Sequence, residues 1–155
     1  MLCVWGGMFL LQNQAALPAD TEPTAVERTM ELELIELMNE MRIERNLKPL
    51  KENPILAQVA RAKSEQMRMD DLFAHINPTF GDPFSMMEES GLHFVAAGEN
   101  LAHAHYTAMQ SFADWMDSYG HRNNILSPVF EDVGVGLAPD RHGGWLWTVL
   151  FMQEE

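Results

Sequence analysis

The stretch AAGENLAHAHY, residues 96–106, places Glu99, His103 and His105 within a few positions of one another. Carboxylates and neutral imidazoles are the side chains that ligate divalent ions and carry protons. On an extended strand Glu99, Leu101, His103 and His105 share one face. Same-face neighbours are separated by about 6.6–7 Å, so Glu99 lies about 13 Å from His103 and cannot share one ion with it unless the strand turns. His103 and His105 form an HxH pair, a usable zinc element that still needs a third ligand from elsewhere. An isolated HxH pair has little specificity, and the commoner reading is an exposed strand end.

The remaining histidines are His75, His93, His121 and His142. His75 sits in FAHINP, a turn-rich loop, and loop histidines held by a rigid scaffold often carry function. His121 follows Gly120 in GHRNNIL, which reads as a helix end and turn, where an imidazole interacts favourably with the C-terminal dipole. Arg122, Asn123 and Asn124 then serve as loop hydrogen-bonders. Asp117, Glu131 and Asp132 are the other acids near these histidines in the chain. No Ser/His/Asp order and no reactive cysteine is evident, so nucleophilic catalysis is not indicated.

These residues must be positioned by regular elements. Val26, Met30, Leu34, Leu37, Met38 and Met41 recur at helical spacing. Asn53-Pro54 reads as an N-cap with proline at the first helical position, opening a helix through ILAQVARAKSEQMRMDD that buries Leu56, Val59, Ala60 and Met67. Asp82-Pro83 starts a short helix that Gly91 ends. The segment around ENLAHA is extended. Thr107 and Gln110 form a capping-box pattern opening a helix with Phe112, Trp115, Met116 and Tyr119 at core spacing. In VFEDVGVGLAP, Val133, Val135 and Leu137 alternate with Gly134 and Gly136, a strand with one bare face that allows close backbone approach. DRHGG connects it to a returning strand, WLWTVLFM. A small antiparallel sheet covered by helices makes an α+β layered domain.

The chain has 155 residues, 46% hydrophobic and 21% charged, with a formal net charge of −13. That is one ordinary globular domain with its own core. The acidity opposes nucleic-acid binding and anionic membrane surfaces, and favours cationic partners or divalent cations. A single cysteine, Cys3, excludes an intrachain disulfide. LCVWGGMFLL has the length of a signal-peptide apolar core and is too short to span a bilayer; NQAALPAD supplies small residues suited to cleavage near Ala16 or Ala19. The positively charged start of such a signal is missing, since the first basic residue is Arg28. The expected organisation is a signal-like segment at residues 1–19, a linker at 20–28 and a domain at 29–155, exported from the cytoplasm.

Several motifs together carry a family resemblance. FAHINP, GDPFSMMEESGL, AAGENLA, the run from Trp115 through GHRNNILSP to VGVG, and WTVLF occur in that order. This resembles the bacterial branch of the CAP superfamily, or SCP-like extracellular domain, which includes cysteine-rich secretory proteins, antigen 5 and pathogenesis-related proteins. The likeness covers roughly residues 30–152. It implies a three-layer α-β-α sandwich with a small central antiparallel sheet, an extracytoplasmic location, and a cleft lined by two histidines and two glutamates that in some members holds a divalent metal. His75 and Glu99 match the first histidine and first glutamate. Ser118 stands where eukaryotic members carry the second glutamate, and Leu146 and Val149 stand where they carry the second histidine and a glutamine. His121, in GHR, follows the bacterial pattern. The resemblance thus gathers His75, Glu99 and His121 in one cleft, with Asn100, Ser118, Arg122 and Asn124 at its periphery. The family disulfides are absent, so the core rests on packing of Phe112, Trp115, Trp145, Trp147 and Phe151, each worth about 1.5–3 kcal/mol when buried.

Three functional readings follow. The first is a secreted, non-catalytic binding module for a lipid, a peptide or a cell-envelope component. The second is a metal-dependent hydrolase, with zinc or another divalent ion at His75 and His121 and Glu99 as general base. The third is a structural or interaction domain in which the cluster only staples loops to the sheet.

Overall fold

A computed structural model describes residues 22–155. The signal-like segment and Cys3 lie outside the described residues. Helix α1 (Ala25–Glu44) begins inside the expected linker: the Thr24 hydroxyl accepts from Glu27 N while the Glu27 carboxylate accepts from Thr24 N, a closed capping box. Strand β1 (Lys51–Glu52) and helix α2 (Pro54–Asp70) follow, with Asn53 capping α2 and Pro54 at its first turn. Asp82 caps α3 (Pro83–Glu89) in the same way. Then come β2 (Phe94–His105), α4 (Ala108–Asp117), α5 (Tyr119–Ile125), β3 (Asp132–Pro139) and β4 (Trp145–Glu154).

The strands form one sheet in the order β1-β3-β4-β2, and helices cover both faces. Strand β4 is central and buried on both sides, which explains its unbroken apolar sequence. Its Trp147, Val149 and Phe151 pack with Val133, Val135 and Leu137 of β3 beneath α1 and α4. On the other face Leu150 and Met152 meet Leu56, Val59 and Ala60 of α2 and Met86 and Met87 of α3. The bare glycine face has the expected purpose. A Cβ at Gly134 would lie 2.3 Å from the Leu56 carbonyl carbon, and one at Gly136 would lie 2.1 Å from Arg61 N. Helix α2 therefore rests directly on the backbone of β3, and Ser64 Oγ donates to Gly136 O or Thr148 Oγ1 across that contact.

Side chains occupy part of both outer edges of the sheet. At β2, Asn124 Nδ2 donates to Glu99 O and Trp115 Nε1 to Leu101 O. Beside β1, the Asn39 amide bonds both Leu50 N and Leu50 O, imitating a further strand. Such pairing reduces the free edge that invites another chain.

Several features differ from the sequence reading; Tyr119, expected at core spacing on the Thr107 helix, is 74% exposed at the start of α5. The antiparallel sheet has a fourth strand, β1, which pairs parallel to β3. With two residues, β1 carries no alternation to detect. GHRNNI is helix α5, separate from α4 because Ser118 adopts extended angles, φ −89° and ψ 123°, between them. His121 consequently lies near the start of a helix, where the dipole offers an imidazolium no favourable interaction. Residues 25–28 belong to helix α1, which starts at the Thr24 cap.

Candidate functional site

The site is built around the middle of β2. Glu99 points to the α2 face, almost wholly buried, and its Oε1 lies 2.5 Å from His75 Nδ1. The His75 side chain is 60% exposed, so this contact leaves Nε2 toward solvent. A carboxylate accepting from Nδ1–H fixes the ring and places the Nε2 lone pair outward. Among the described residues, Glu99 Oε2 is buried without a hydrogen-bond partner. Burial raises the Glu99 pKa, against the opposing pull of the His75 hydrogen bond and the charge of Lys63.

Lys63 was not singled out from sequence. It occupies a buried position of α2, and its Nζ donates to His75 O at 2.8 Å. Desolvation lowers its pKa, while the charges of Glu99 and Asp82 act to raise it. The FAHINP loop is thus tied down twice, through its backbone by Lys63 and through its imidazole by Glu99. The interruption of the α2 apolar pattern by a lysine was the available signal, but one lysine in a helix usually reads as a solvated face.

Asn100, next along β2, points to the opposite face. Its Nδ2 donates to His121 O at 3.0 Å, and its Oδ1 accepts from Asn124 Nδ2 at 2.8 Å. Gly98 permits this seam, since a Cβ there would come within 3.2 Å of Asn124 Oδ1 and 3.0 Å of Phe130. Arg122 donates to Met116 O, holding α5 against the end of α4. Asn124 and Arg122 thus hydrogen-bond to β2 and to the end of α4 from within a helix. His121 meets Trp115 edge-on, with ring centroids 6.5 Å apart. Desolvation lowers the His121 pKa, and the charge of His75 acts in the same direction.

Beside this seam lies an open cleft of about 590 Å³, walled by Phe73, His103, His105, Trp115, Ser118 and His121, among others. The HxH pair expected at an exposed strand end lines this cleft. It is not a joint ligand set. Ala104 takes φ 61° and the ladder slips between Ala102 and His105, so the two rings diverge. His103 stacks on Phe73 with centroids 5.3 Å apart and lies 3.5 Å from Asp140. His105 Nε2 lies 2.7 Å from Asp114, and its Nδ1 meets Ser111 Oγ at 3.2 Å. This row of Ser111, His105 and Asp114 has the residue types of a hydrolase triad, but Ser111 is fully buried and no acyl group can reach its hydroxyl.

Comparison with known proteins places these features. The model of the cysteine-rich secretory protein family matches residues 35–151. The chain belongs to that family. Among its relatives, the uncharacterised protein YkwD of Bacillus subtilis is 41% identical over 122 residues, which is 79% of this chain and 46% of YkwD. An extracellular SCP-domain protein from Bacillus anthracis superposes with a TM-score of 0.78 at 29% identity, covering 83% of this chain and 42% of that one. An outer surface protein of Borrelia burgdorferi shares the fold, with a TM-score of 0.76 at 17% identity over 85% of this chain and 97% of that one. The chain thus spans less than half of these two Bacillus proteins.

Within the family frame, Leu146 packs with Met67 and Leu101 and Val149 sits in the α1/α4 core, so neither offers the cleft a polar group. The family's divalent ion does not fit the present arrangement. Glu99 Oε1 is engaged by His75, and among the described residues no three His, Cys, Asp or Glu side chains are grouped to hold an ion. Among those residues no helix is long and apolar enough to cross a membrane.

Proposed function

We propose that this is an extracytoplasmic binding domain whose His-lined cleft, beside the buried Glu99–His75 pair, takes a ligand without converting it. One observation carries the reading: a carboxyl buried to 7% exposure keeps Oε2 unpartnered while Oε1 orients an outward-facing imidazole. Leaving a buried acceptor unmade costs about 1–3 kcal/mol, which a site presenting polar groups to a ligand can recover on binding. The adjoining cleft adds an aromatic wall at Phe73 and Trp115 and a polar wall at His103, Ser118 and His121. Such a mixture suits a lipid headgroup, a peptide or a cell-envelope fragment. The only serine hydrogen-bonded to a histidine among the described residues is buried, which leaves the cleft without a reachable nucleophile of that kind. The extracellular and surface character of the Bacillus anthracis and Borrelia proteins supports export.

The test pairs binding with stability. Phospholipid vesicles, a mixed peptide library and solubilised peptidoglycan fragments are titrated into wild type, Glu99→Gln and Phe73→Ala. One probe class should bind wild type and lose affinity to both variants while their melting temperatures stay near wild type. A Glu99→Gln protein that melts lower but binds normally would assign the cluster a purely structural role. Hydrolysis of any probe, abolished by His75→Ala, would make the domain an enzyme.

A further inference from the structure

A second site lies away from the cleft, where the loop after α1 meets the loop before β3. This groove has a volume of about 360 Å³, with Leu47, Pro49, Pro128 and Phe130 as its apolar lining and Lys48 and Lys51 as its cations. The chain has three lysines; Lys63 is buried, so both exposed lysines of a protein with net charge −13 line this one groove. Arg28, Arg61, Arg68 and Arg141 are each paired with carboxylates. Among the described residues, neither Lys48 nor Lys51 forms such a pair.

Arg42 lies beneath the groove, 1% exposed, and bolts its walls together. Its guanidinium donates to Lys48 O on one wall and to Ile125 O, Ser127 O and Phe130 O on the other. The partners are all carbonyls, so this buried charge meets no carboxylate among the described residues. The groove is therefore held open in advance over an uncompensated cation, and preorganisation lowers the cost of binding. Glu131 is the one acid in the lining.

We propose that this groove binds an apolar monocarboxylate, a single acid group on a short hydrocarbon or aromatic body. The acid meets Lys48 and Lys51, and the body lies against Pro49, Pro128, Leu47 and Phe130. The available volume is at the lower end of small-ligand pockets, which matches a small acid. Two hydrogen bonds from Asn39 already occupy the backbone N–H and C=O of Leu50 on the neighbouring strand edge.

Phenylpropionate, phenylpropylamine and phenylpropanol share one body and differ in charge. Titrated into the whole chain and followed by amide chemical shifts, phenylpropionate should move residues 46–48, 50–51 and 129–131, weaken as salt screens the lysines, and bind more tightly than the other two. Lys48→Gln/Lys51→Gln should weaken it about tenfold or more, in line with loss of charge-assisted bonds, at an unchanged melting temperature. Glu131→Gln should tighten it. Equal binding of the amine or the alcohol, no binding of the acid, shifts confined to the Phe73–His121 cleft, or indifference to either variant overturns the proposal.

Discussion

Lys63 Nζ donates to the carbonyl of His75 at 2.8 Å from within the α2–sheet interface. The residue that presents an imidazole to solvent is thus held by a buried ammonium that never reaches the surface. Replacing Lys63 with Met keeps the apolar stem and removes the donor. The His75 carbonyl loses its partner and Glu99 loses a neighbouring positive charge. We expect a stability loss of about 1–3 kcal/mol, with shifted amide signals at residues 73–77. Thermal denaturation and an amide spectrum check this together; a variant with wild-type signals at 73–77 would show that the loop is fixed without Lys63.

His121 gives the fold a pH dependence of known sign. Its folded pKa is lowered from 6.5, first by desolvation and then by the charge of His75. The folded state therefore favours the neutral ring. Its contribution is fully present above the unfolded value and is lost as pH falls through the folded one. The stability of wild type relative to His121→Asn should decline as pH drops below 6.5. Urea midpoints collected across that range measure the difference, and a gap independent of pH would contradict it.

Gly136→Ala should be among the most damaging single-methyl changes. The new Cβ would meet backbone of α2 at 2.1 Å, and backbone cannot rotate away as a side chain can. Overpacking of a well-packed core costs about 1–3 kcal/mol, more where backbone must move. Gly120→Ala is the control, because a Cβ added there would meet nothing within 4 Å. Denaturant midpoints should fall strongly for the first and stay level for the second.

Arg42 tests how the two loops beside β3 are joined. Arg42→Met removes a donor to four carbonyls on both sides of the groove, two of those contacts fully buried. A loss of about 2–4 kcal/mol is expected from several unsatisfied acceptors, partly offset by water entering the loops. Arg42→Lys should recover only part, because an ammonium lacks the planar fork. Equal stability of the two variants would indicate that the spread of donors is immaterial.

Local chemistry made much of this fold legible. Asn53 with Pro54, Asp82 with Pro83 and Thr107 with Gln110 cap helices through short-range contacts visible as residue pairs, whereas the equivalent Thr24–Glu27 box lies inside the stretch read as linker. The glycine alternation in β3 foretold the close approach of α2, because only absent side chains leave that room. Strand β1 was illegible for the opposite reason: its two residues exist as a strand only through Asp132 and Val133 of β3. Helix α5 was hidden by glycine and two asparagines, poor helix formers, and it is held by tertiary bonds from Asn124 and Arg122. At the site, the pairing of His75 with Glu99 came from family motif order, not from spacing. The cleft positions of His103 and His105 depend on a left-handed Ala104, which alternating strand geometry does not anticipate.

The central claim is that the cleft binds and does not convert. The most direct measurement is an amide chemical-shift titration of the isotope-labelled protein with solubilised envelope material, followed by mass spectrometry of the recovered ligand. Binding without conversion predicts shifts concentrated at Phe73, Leu101, His103, Trp115 and His121, lost in Glu99→Gln, with the ligand recovered unchanged. Shifts spread elsewhere on the surface, or a cleaved product that disappears with His75→Ala, would contradict it.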